Sequence, residues 1–229
     1  SPGMNAVLKG FIDKCLSLGI SPYIFKKGIE GVFKNDGQEY MEEDQRRLLA
    51  TSGSVIQCNK RFRLIEQEGA ENLAIENLRK NKCDALIVLG GDGSMRLSNK
   101  LFRARYPVVA LPGTIDNDLP VYCLGFDSAL NATIGLIQML ESTSRSMERV
   151  HLAEVYGAGS GHFALSLAHA VNPQAVLVNE MKEIGVDVDE FIDTYLIDKL
   201  AASFKRENKS RIVIVSEFLK HRYLIDPRG

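Results

Sequence analysis

The sequence lacks the features that mark several large classes of protein. Its 28 Lys and Arg residues are balanced by 29 Asp and Glu, giving a formal net charge of -1. No basic stripe is therefore available to neutralise a nucleic-acid backbone or a membrane surface. No apolar run approaches the length of a membrane span, and the first residues lack a signal-peptide pattern. The four cysteines form no CxxC pair, which predicts reduced thiols in a cytoplasmic protein and disfavours a zinc site.

The residues that are present have the composition of an α/β enzyme. The chain has 229 residues, of which 45% are hydrophobic, enough to bury a sizeable core. Apolar runs alternate with helical patterns, which predicts parallel strands joined by helices. We therefore predict the α/β class with mostly parallel sheets, in one large domain or in two smaller Rossmann-like lobes.

The most informative stretch combines an apolar run with a glycine turn. Ala85–Leu89 predicts a strand, Gly90 and Gly91 end it, and Asp92–Ser94 begins a helical pattern. Glycines let the backbone approach an anion closely, and the N–H groups at the helix start attract it. The pattern therefore predicts a phosphate-binding loop, with Asp92 as a candidate magnesium ligand.

A second apolar run ends in a loop that is rich in polar groups. Pro107–Leu111 predicts a strand, and Pro112–Asp118 follows it with two carboxylates, a hydroxyl and an amide. Consecutive parallel strands present their carboxyl ends at one edge of a sheet, so we expect both loops to face one cleft. Each loop alone is also compatible with an ordinary turn. The spacing of the two together favours a binding site.

The first hundred residues contain less regular patterns. Pro2–Asn5 leads directly into a helical pattern without the strand that a doubly wound sheet needs there. We therefore expect the sequence to begin inside a loop, and a cloning remnant before Met4 is the alternative. After a short strand at Pro22–Phe25, we predict a turn at Gly28 and a polar stretch, with a short helix at Glu43–Ala50.

The second half continues the alternation of helices and strands. Residues 127–148 predict one long helix, with Asp127 as its N-cap. Later strands are predicted at residues 150–156, 175–178 and 211–216, and later helices at 161–170 and 188–204. The four histidines share no metal-binding spacing, and structural or surface roles are predicted for each.

Four segments resemble the 6-phosphofructokinase family and occur in that family's order. Gly90–Ser94 and Pro112–Asp118 are similar to its two signature loops. Ser1–Asn5 resembles the end of its first phosphate loop, and Gly125–Ala129 resembles the segment leading into its central helix. The resemblance implies a nucleotide-binding lobe over residues 1–126, a sugar-phosphate lobe over residues 127–229, and a cleft between them.

The resemblance implies ATP-dependent transfer to the 1-hydroxyl of fructose 6-phosphate, in glycolysis, with Mg²⁺ as the metal. The nucleotide-binding positions that it implies are Gly3, Gly90, Gly91, Gly93, Ser94 and either Lys60 or Arg61, with Asp92 on the metal. Lys60 and Arg61 are equally compatible with solvated surface charges.

The resemblance also assigns roles on the acceptor side. Asp116 would be the base, Asp118 a partner that orients the sugar, and Thr114 a contact to the transferring group. The substrate-binding positions that it implies are Thr114, Asp116, Asp118, Arg149, Tyr156, Gly157 and Glu217. Arg149 would act across a subunit interface, which implies a homo-oligomer. The resemblance also implies that this oligomer is a tetramer and that the enzyme is allosteric. Without the resemblance, Arg149 would be interpreted as a helix C-terminal cation and Glu217 as a surface acid.

Some positions select among family members, and others depart from the family. Pyrophosphate-using members carry an acid at the position of Gly93 and a lysine at that of Gly113, so two glycines favour ATP. Ala158 stands where the family has an arginine, and Ile29 stands where many relatives have an aromatic. The family's C-terminal portion does not follow Gly229.

Three hypotheses remain open at the level of sequence. The first is an ATP-dependent 6-phosphofructokinase, either divergent or represented by part of its chain. The second is a catalytically weakened relative that serves as a regulatory or binding subunit. The third, a lipid or NAD kinase, shares the first loop but does not need the second.

Overall fold

The computed structural model describes residues 1–40, 53–59, 64–205, 211–217 and 219. The chain divides into two compact units, Ser1–Thr114 with Leu119–Gly125, and Ile115–Asp118 with Phe126–Gly229. Four residues of the second signature loop, Ile115–Asp118, therefore belong to the second unit, on the other side of the predicted boundary. In both units parallel strands alternate with helices, so the predicted α/β class is confirmed.

The first unit contains two small sheets. Its elements are α1 (Met4–Ser17), β1 (Tyr23–Phe25), α2 (Ile29–Lys34), β2 (Gly37–Glu39), a 3-10 turn (Leu64–Glu66), α3 (Ala70–Lys80), β3 (Leu86–Gly90), α4 (Asp92–Arg103) and β4 (Val108–Pro112). Strands β1 and β2 pair antiparallel. Strands β3 and β4 pair in parallel, as predicted, with Leu86 opposite Val108 and Gly90 opposite Pro112.

The predicted turn at Gly28 is present, but the polar stretch predicted after it was wrong, because that segment contains α2 and β2. Helix α2 buries Val32 and Phe33 in the core of the first unit. It ends at Lys34, and the C-cap residue Asn35 has a left-handed φ of 56°. A helix of fewer than two turns gives no clear 3.6-residue period, so its existence depends on this burial. The helix predicted at Glu43–Ala50 lies outside the described residues.

The core of the first unit forms where α2, α3 and α4 pack around the strands. Leu78, Leu97 and Leu101 are fully buried there. The Tyr106 hydroxyl donates to the Cys83 carbonyl at 2.5 Å. Burial, followed by the nearby Cys83 and Asp84, raises the pKa of Tyr106 to about 12.

The second unit contains one parallel sheet covered on both faces. Its elements are α5 (Phe126–Met147), β5 (His151–Val155), α6 (His162–Val171), β6 (Ala175–Leu177), α7 (Glu180–Glu183), α8 (Val188–Phe191), a π-helical turn (Ile192–Leu196), α9 (Ile197–Ser203) and β7 (Ile212–Ser216). The strand order is β5-β7-β6.

Central strand β7 shows how the sequence produces this layering. All five of its residues are buried. Ile212 and Ile214 pack with α5 and α6, whereas Val213 and Val215 pack on the opposite face with α8 and the π-helical turn. Because successive side chains of a strand point to opposite faces, an uninterrupted apolar run is typical of a strand covered on both sides.

Two predictions about helices of the second unit need correction. Asp127 is not the N-cap of the long helix, because the helix begins at Phe126 and Asp127 lies in its first turn. Gly125, with φ of 96°, turns the chain into the helix. The segment predicted as one helix at residues 188–204 contains the π-helical turn. Within the described part of the chain, no helix is long and apolar enough to cross a membrane.

Candidate active site

The first signature loop connects β3 to α4 in the first unit. Gly91 is the N-cap residue of α4, its backbone is extended, and no side chain caps the helix. The first N–H groups of a helix have no partner within it and attract anions. A Cβ atom on Gly90 would lie 2.3 Å from Ser94 Oγ. The glycine therefore lets the Ser94 side chain fold back over the end of β3.

Asp92 occupies the first turn of α4, as its predicted metal role requires. Its Oδ2 lies 2.6 Å from Arg96 Nη2, one helical turn further on, and both side chains are exposed. An exposed pair of this kind contributes about 0.3–0.5 kcal/mol, so a stronger ligand of the carboxylate can displace it. Mg²⁺ prefers oxygen ligands and often uses one or two carboxylates together with substrate phosphates. One exposed carboxylate at an uncapped helix start fits that ion.

The two glycines that favour ATP have different surroundings. A Cβ on Gly93 would meet nothing within 4 Å, so this position opens onto free space. A Cβ on Gly113 would instead lie 2.8 Å from Leu89 Cδ1. The side-chain direction at Gly113 is therefore occupied by the protein's own leucine, and Gly93 is the cleaner position at which to test donor choice.

The beginning of the second loop adjoins the first loop within this unit. The Gly113 N–H donates to the Gly90 carbonyl at 2.9 Å. Buried Thr114 lies beside Gly91, whose Cβ position would be 3.3 Å from Thr114 Cβ. The parallel pairing of β3 and β4 thus brings together Gly90, Gly91 and Thr114, which the sequence assigned to one site.

The N-terminal loop reaches the same strand end through Leu124. Gly3 has φ of 85° and precedes α1, and its Cβ position would lie 3.2 Å from Leu124 Cδ1. The Leu124 N–H donates to the Pro112 carbonyl at 3.0 Å. The Ser1 Oγ donates to the Leu124 carbonyl at 2.6 Å. These contacts connect predicted residue Gly3 to the end of β4.

The remaining sequence predictions for the first unit concern Lys60, Arg61 and Ile29. Lys60 and Arg61 lie outside the described residues, so their predicted contact with the nucleotide stays a prediction. Ile29, which stands in place of an aromatic, packs against the core of the first unit.

The carboxylates of the second loop belong to the second unit. Asp116 is half-buried, Asp118 is exposed, and Asn117 between them has a left-handed φ of 52°. The Asn117 Nδ2 atom lies 3.1 Å from His162 Nε2, at the start of α6. Sequence reasoning missed this contact and assigned His162 no role beyond structure or surface. No local sequence pattern could have predicted this contact, because its two residues are 45 positions apart.

The predicted sugar-binding residues gather at the carboxyl edge of the second unit's sheet. Tyr156 and Gly157 follow β5, and Glu217 follows the adjacent strand β7. Glu217 Oε2 accepts from the backbone N–H groups of Gly157 at 3.3 Å and Ala158 at 3.2 Å. A Cβ on Gly157 would lie 2.2 Å from the Ser160 carbonyl oxygen. The tight turn itself therefore requires a glycine at position 157, whether or not a ligand approaches the backbone there.

Asn179 also supports this edge, although no sequence motif predicted its role. Its Nδ2 donates to the Glu217 carbonyl at 2.8 Å, and its backbone N–H donates to the Ser216 Oγ at 3.2 Å. Asn179 follows β6, so all three strands contribute to holding Glu217. A polar residue directly after a predicted strand was the available signal.

Arg149 is fixed through its backbone and has an exposed side chain. Its N–H donates to the Ser144 carbonyl at 3.0 Å, and the buried Ser144 hydroxyl donates to the Arg149 carbonyl. Glu148 between them has a left-handed φ of 50°. The described part of the chain supplies no ion pair for the guanidinium. Its exposure is compatible with the predicted role across a subunit interface.

Ala158 lies at the tip of the turn after β5. Its φ is 48°, the next residue Gly159 has φ of 93°, and the Ser160 N–H donates to the Gly157 carbonyl at 2.8 Å. The Ala158 side chain is exposed. An arginine here would need no space in the core. Among the described residues, no group of three or more His, Cys, Asp or Glu could hold a metal ion.

Comparison with characterised proteins identifies the family. The family described as Phosphofructokinase matches residues 1–226. A protein of Brevibacillus brevis named ATP-dependent 6-phosphofructokinase is 31% identical over 219 residues, covering 95% of this chain. Another of that name, from Natranaerobius thermophilus, is 33% identical over 222 residues, covering 96% of this chain. The chain spans 66% of the first relative's length and 67% of the second's.

Solved structures agree on the fold. Phosphofructokinase of Pichia pastoris in the T-state matches with a TM-score of 0.79 and 26% identity, over 95% of this chain and 25% of that one. A pyrophosphate-dependent phosphofructokinase of Marinobacter aquaeolei matches with a TM-score of 0.71 and 22% identity, over 93% of this chain and 56% of that one. At this identity the second likeness concerns fold alone and does not select a donor. The chain belongs to the phosphofructokinase family.

Proposed function

We propose that the protein containing this chain transfers a phosphoryl group from ATP to the 1-hydroxyl of fructose 6-phosphate, giving fructose 1,6-bisphosphate in cytoplasmic glycolysis. The observation that carries the proposal is the in-register end of β3 and β4, where Gly90 faces Pro112 and both family loops begin. The family match over residues 1–226 supports it and disfavours a lipid or NAD kinase that shares only the first loop.

On the donor side, the start of α4 binds the nucleotide phosphates. Its uncapped N–H groups and the N-terminal loop around Gly3 supply hydrogen-bond donors. Asp92 holds Mg²⁺, which neutralises charge on the transferring phosphoryl group. Arg96 releases Asp92 for this role at small cost, because their pair is exposed. Open space at Gly93 leaves room for a nucleotide, which favours ATP over pyrophosphate.

On the acceptor side, Asp116 accepts the proton of the sugar hydroxyl and Asp118 orients the sugar. Transfer needs a positioned base because the hydroxyl is a weak nucleophile while protonated. Thr114 contacts the transferring group from the end of β4. Two neighbouring carboxylates can differ in their tendency to hold a proton, which suits a base beside a hydrogen-bonding partner.

The sugar phosphate binds the second unit in this proposal. Glu217 accepts from sugar hydroxyls while the backbone of Gly157 and Ala158 holds its other oxygen. Arg149 clamps the phosphate of a neighbouring subunit's substrate with its exposed guanidinium, which an arginine does better than a lysine. A site shared in this way requires a homo-oligomer, which the resemblance implies is a tetramer. The shared site also couples substrate binding in one subunit to its neighbour, as an allosteric enzyme requires.

The decisive experiment uses the complete gene product. Isothermal titration with MgATP and with fructose 6-phosphate is combined with a coupled turnover assay on the parent and on Asp116→Ser. The loss of a general base predicts a decrease in kcat of about 100- to 10,000-fold. Binding of MgATP should change much less, because the lost interaction develops mainly in the transition state.

Asp198→Ser is the matched control, because Asp198 is an exposed carboxylate on α9. Its kcat should equal that of the parent. An active parent whose kcat is unchanged in Asp116→Ser contradicts the proposed mechanism. A parent that binds both substrates without turnover contradicts the proposed activity and supports a regulatory or binding subunit.

A further inference from the structure

We propose that His162 is a positioning residue for the transfer loop Ile115–Asp118, which it holds by accepting a hydrogen bond from Asn117. The inference deepens the proposed function and rests on it for its catalytic consequence. Asn117 lies between Asp116 and Asp118, so a restraint on its side chain restrains both carboxylates. His162 is 45 residues away in sequence and begins the helix α6.

The contact has a defined chemical direction. In the assigned amide orientation, Asn117 Nδ2 is a donor, and His162 Nε2 lies 3.1 Å from it. A ring nitrogen accepts only through a free lone pair, so this hydrogen bond requires the tautomer that leaves Nε2 without a proton. A ring protonated on both nitrogens cannot accept this hydrogen bond.

The imidazole is itself held in place from two sides. Its ring contacts the Phe126 ring in a tilted arrangement, with centroids 5.2 Å apart and an interplanar angle of 34°. The His162 backbone N–H donates to the Ser160 Oγ at 3.2 Å. Phe126 is buried at the start of α5, so the acceptor is fixed to the core of the second unit while the side chain remains exposed.

Acidic residues adjoin in sequence the residues that contact His162. Asp116 and Asp118 flank Asn117, and Asp127 follows Phe126 in the first turn of α5. Glu180, at the start of α7, accepts from the Gly161 N–H at 2.7 Å, directly before His162. The first turn of α6 contains no acid.

The restraint matters because the loop backbone is unusual at this point. Asn117 has a φ of 52°, a left-handed conformation that asparagine tolerates better than most residues. A side-chain hydrogen bond to a fixed ring favours this conformation over the alternatives open to a loop. We expect its loss to misplace the flanking carboxylates, because a small displacement of a catalytic group lowers the rate.

The test uses three variants of the complete protein. His162→Ala removes the acceptor, His162→Gln retains an amide acceptor that does not titrate, and His169→Gln is the control on the same exposed helix. At pH 7.5, His162→Ala should lower kcat by about 3- to 10-fold, as expected for one neutral hydrogen bond, with little change in the KM for ATP. His162→Gln should recover most of the rate, and His169→Gln should match the parent.

Rescue by the conservative variant separates positioning from a general structural role. An amide oxygen at position 162 can still accept from Asn117 Nδ2, whereas alanine cannot. A kcat of His162→Ala equal to that of the parent overturns the proposal, and so does a His162→Gln kcat as low as that of His162→Ala.

Hydrogen exchange tests the restraint without catalysis. Amide exchange of the peptide containing residues 115–118 should be several-fold faster in His162→Ala than in the parent at pH 7.5, and close to the parent in His162→Gln and His169→Gln. Equal exchange in parent and His162→Ala overturns the proposal even in an active enzyme. If the parent shows no turnover but His162→Ala still exchanges faster than the parent, the restraint is supported while the proposed function is contradicted.

Discussion

Removal of the Ser144 hydroxyl tests how α5 presents Arg149. Ser144 is fully buried, its hydroxyl donates to the Arg149 carbonyl, and its own carbonyl accepts the Arg149 N–H at 3.0 Å. Ser144→Ala leaves the Arg149 carbonyl without this donor, which costs about 1–3 kcal/mol. The better helix propensity of alanine returns about 0.5 kcal/mol. We therefore expect a net loss of about 0.5–2.5 kcal/mol in the free energy of unfolding.

This loss is measurable by urea or thermal unfolding of the complete protein without ligand. For a chain of this size it corresponds to a decrease in Tm of about 1–10 °C. Ser146→Ala is the matched control, because the exposed Ser146 hydroxyl only donates within the helix, to the Ser142 carbonyl at 3.0 Å. That variant should stay within about 0.5 kcal/mol of the parent.

The same substitution tests the proposed function of Arg149. If Arg149 clamps the sugar phosphate, its looser backbone should raise the KM for fructose 6-phosphate several-fold in Ser144→Ala and leave the KM for ATP unchanged. A Ser144→Ala protein as stable as Ser146→Ala would refute the argument from the buried hydroxyl. A large loss of stability with an unchanged KM for the sugar would refute the role of Arg149 alone.

Four further substitutions test other parts of the chain. Asp92→Asn should weaken Mg²⁺-dependent ATP binding by tenfold or more in isothermal titration, because the metal loses a carboxylate ligand. The protein should stay folded, because the substitution removes only an exposed ion pair with Arg96. An unchanged affinity for MgATP would contradict the metal role. Gly93→Asp should lower kcat/KM for ATP relative to pyrophosphate, since it fills open space with negative charge; an unchanged ratio would contradict this view of donor choice. Ala158→Arg should raise the rate of an active parent in the coupled assay by restoring positive charge, and an unchanged rate would show that the charge is not needed at this turn. Burial raises the pKa of Tyr106 to about 12, so this hydroxyl ionises at a lower pH in the unfolded chain than in the folded protein. The free energy of unfolding should therefore fall as the pH rises from about 10 towards 12. Urea unfolding of Tyr106→Phe should show a flatter dependence on pH.

The sequence by itself determined the elements that carry the first site. An apolar run followed by glycines encodes a strand end and a turn locally, so Ala85–Leu89 and Pro107–Leu111 predicted β3 and β4 within one residue. Because parallel strands present their carboxyl ends at one edge, the adjacency of Gly90, Gly91 and Thr114 followed from the pattern.

The tertiary structure alone decided which distant side chains meet. Asn117 reaches His162 across 45 residues, and Glu217 reaches the Gly157 N–H across 60. These contacts depend on strand order and on how a helix packs, and a local pattern contains neither. The structure also decided that Gly113 faces Leu89 while Gly93 faces open space. Sequence reasoning treated the two glycines alike, because the space around a missing side chain is defined only by its neighbours in the folded chain.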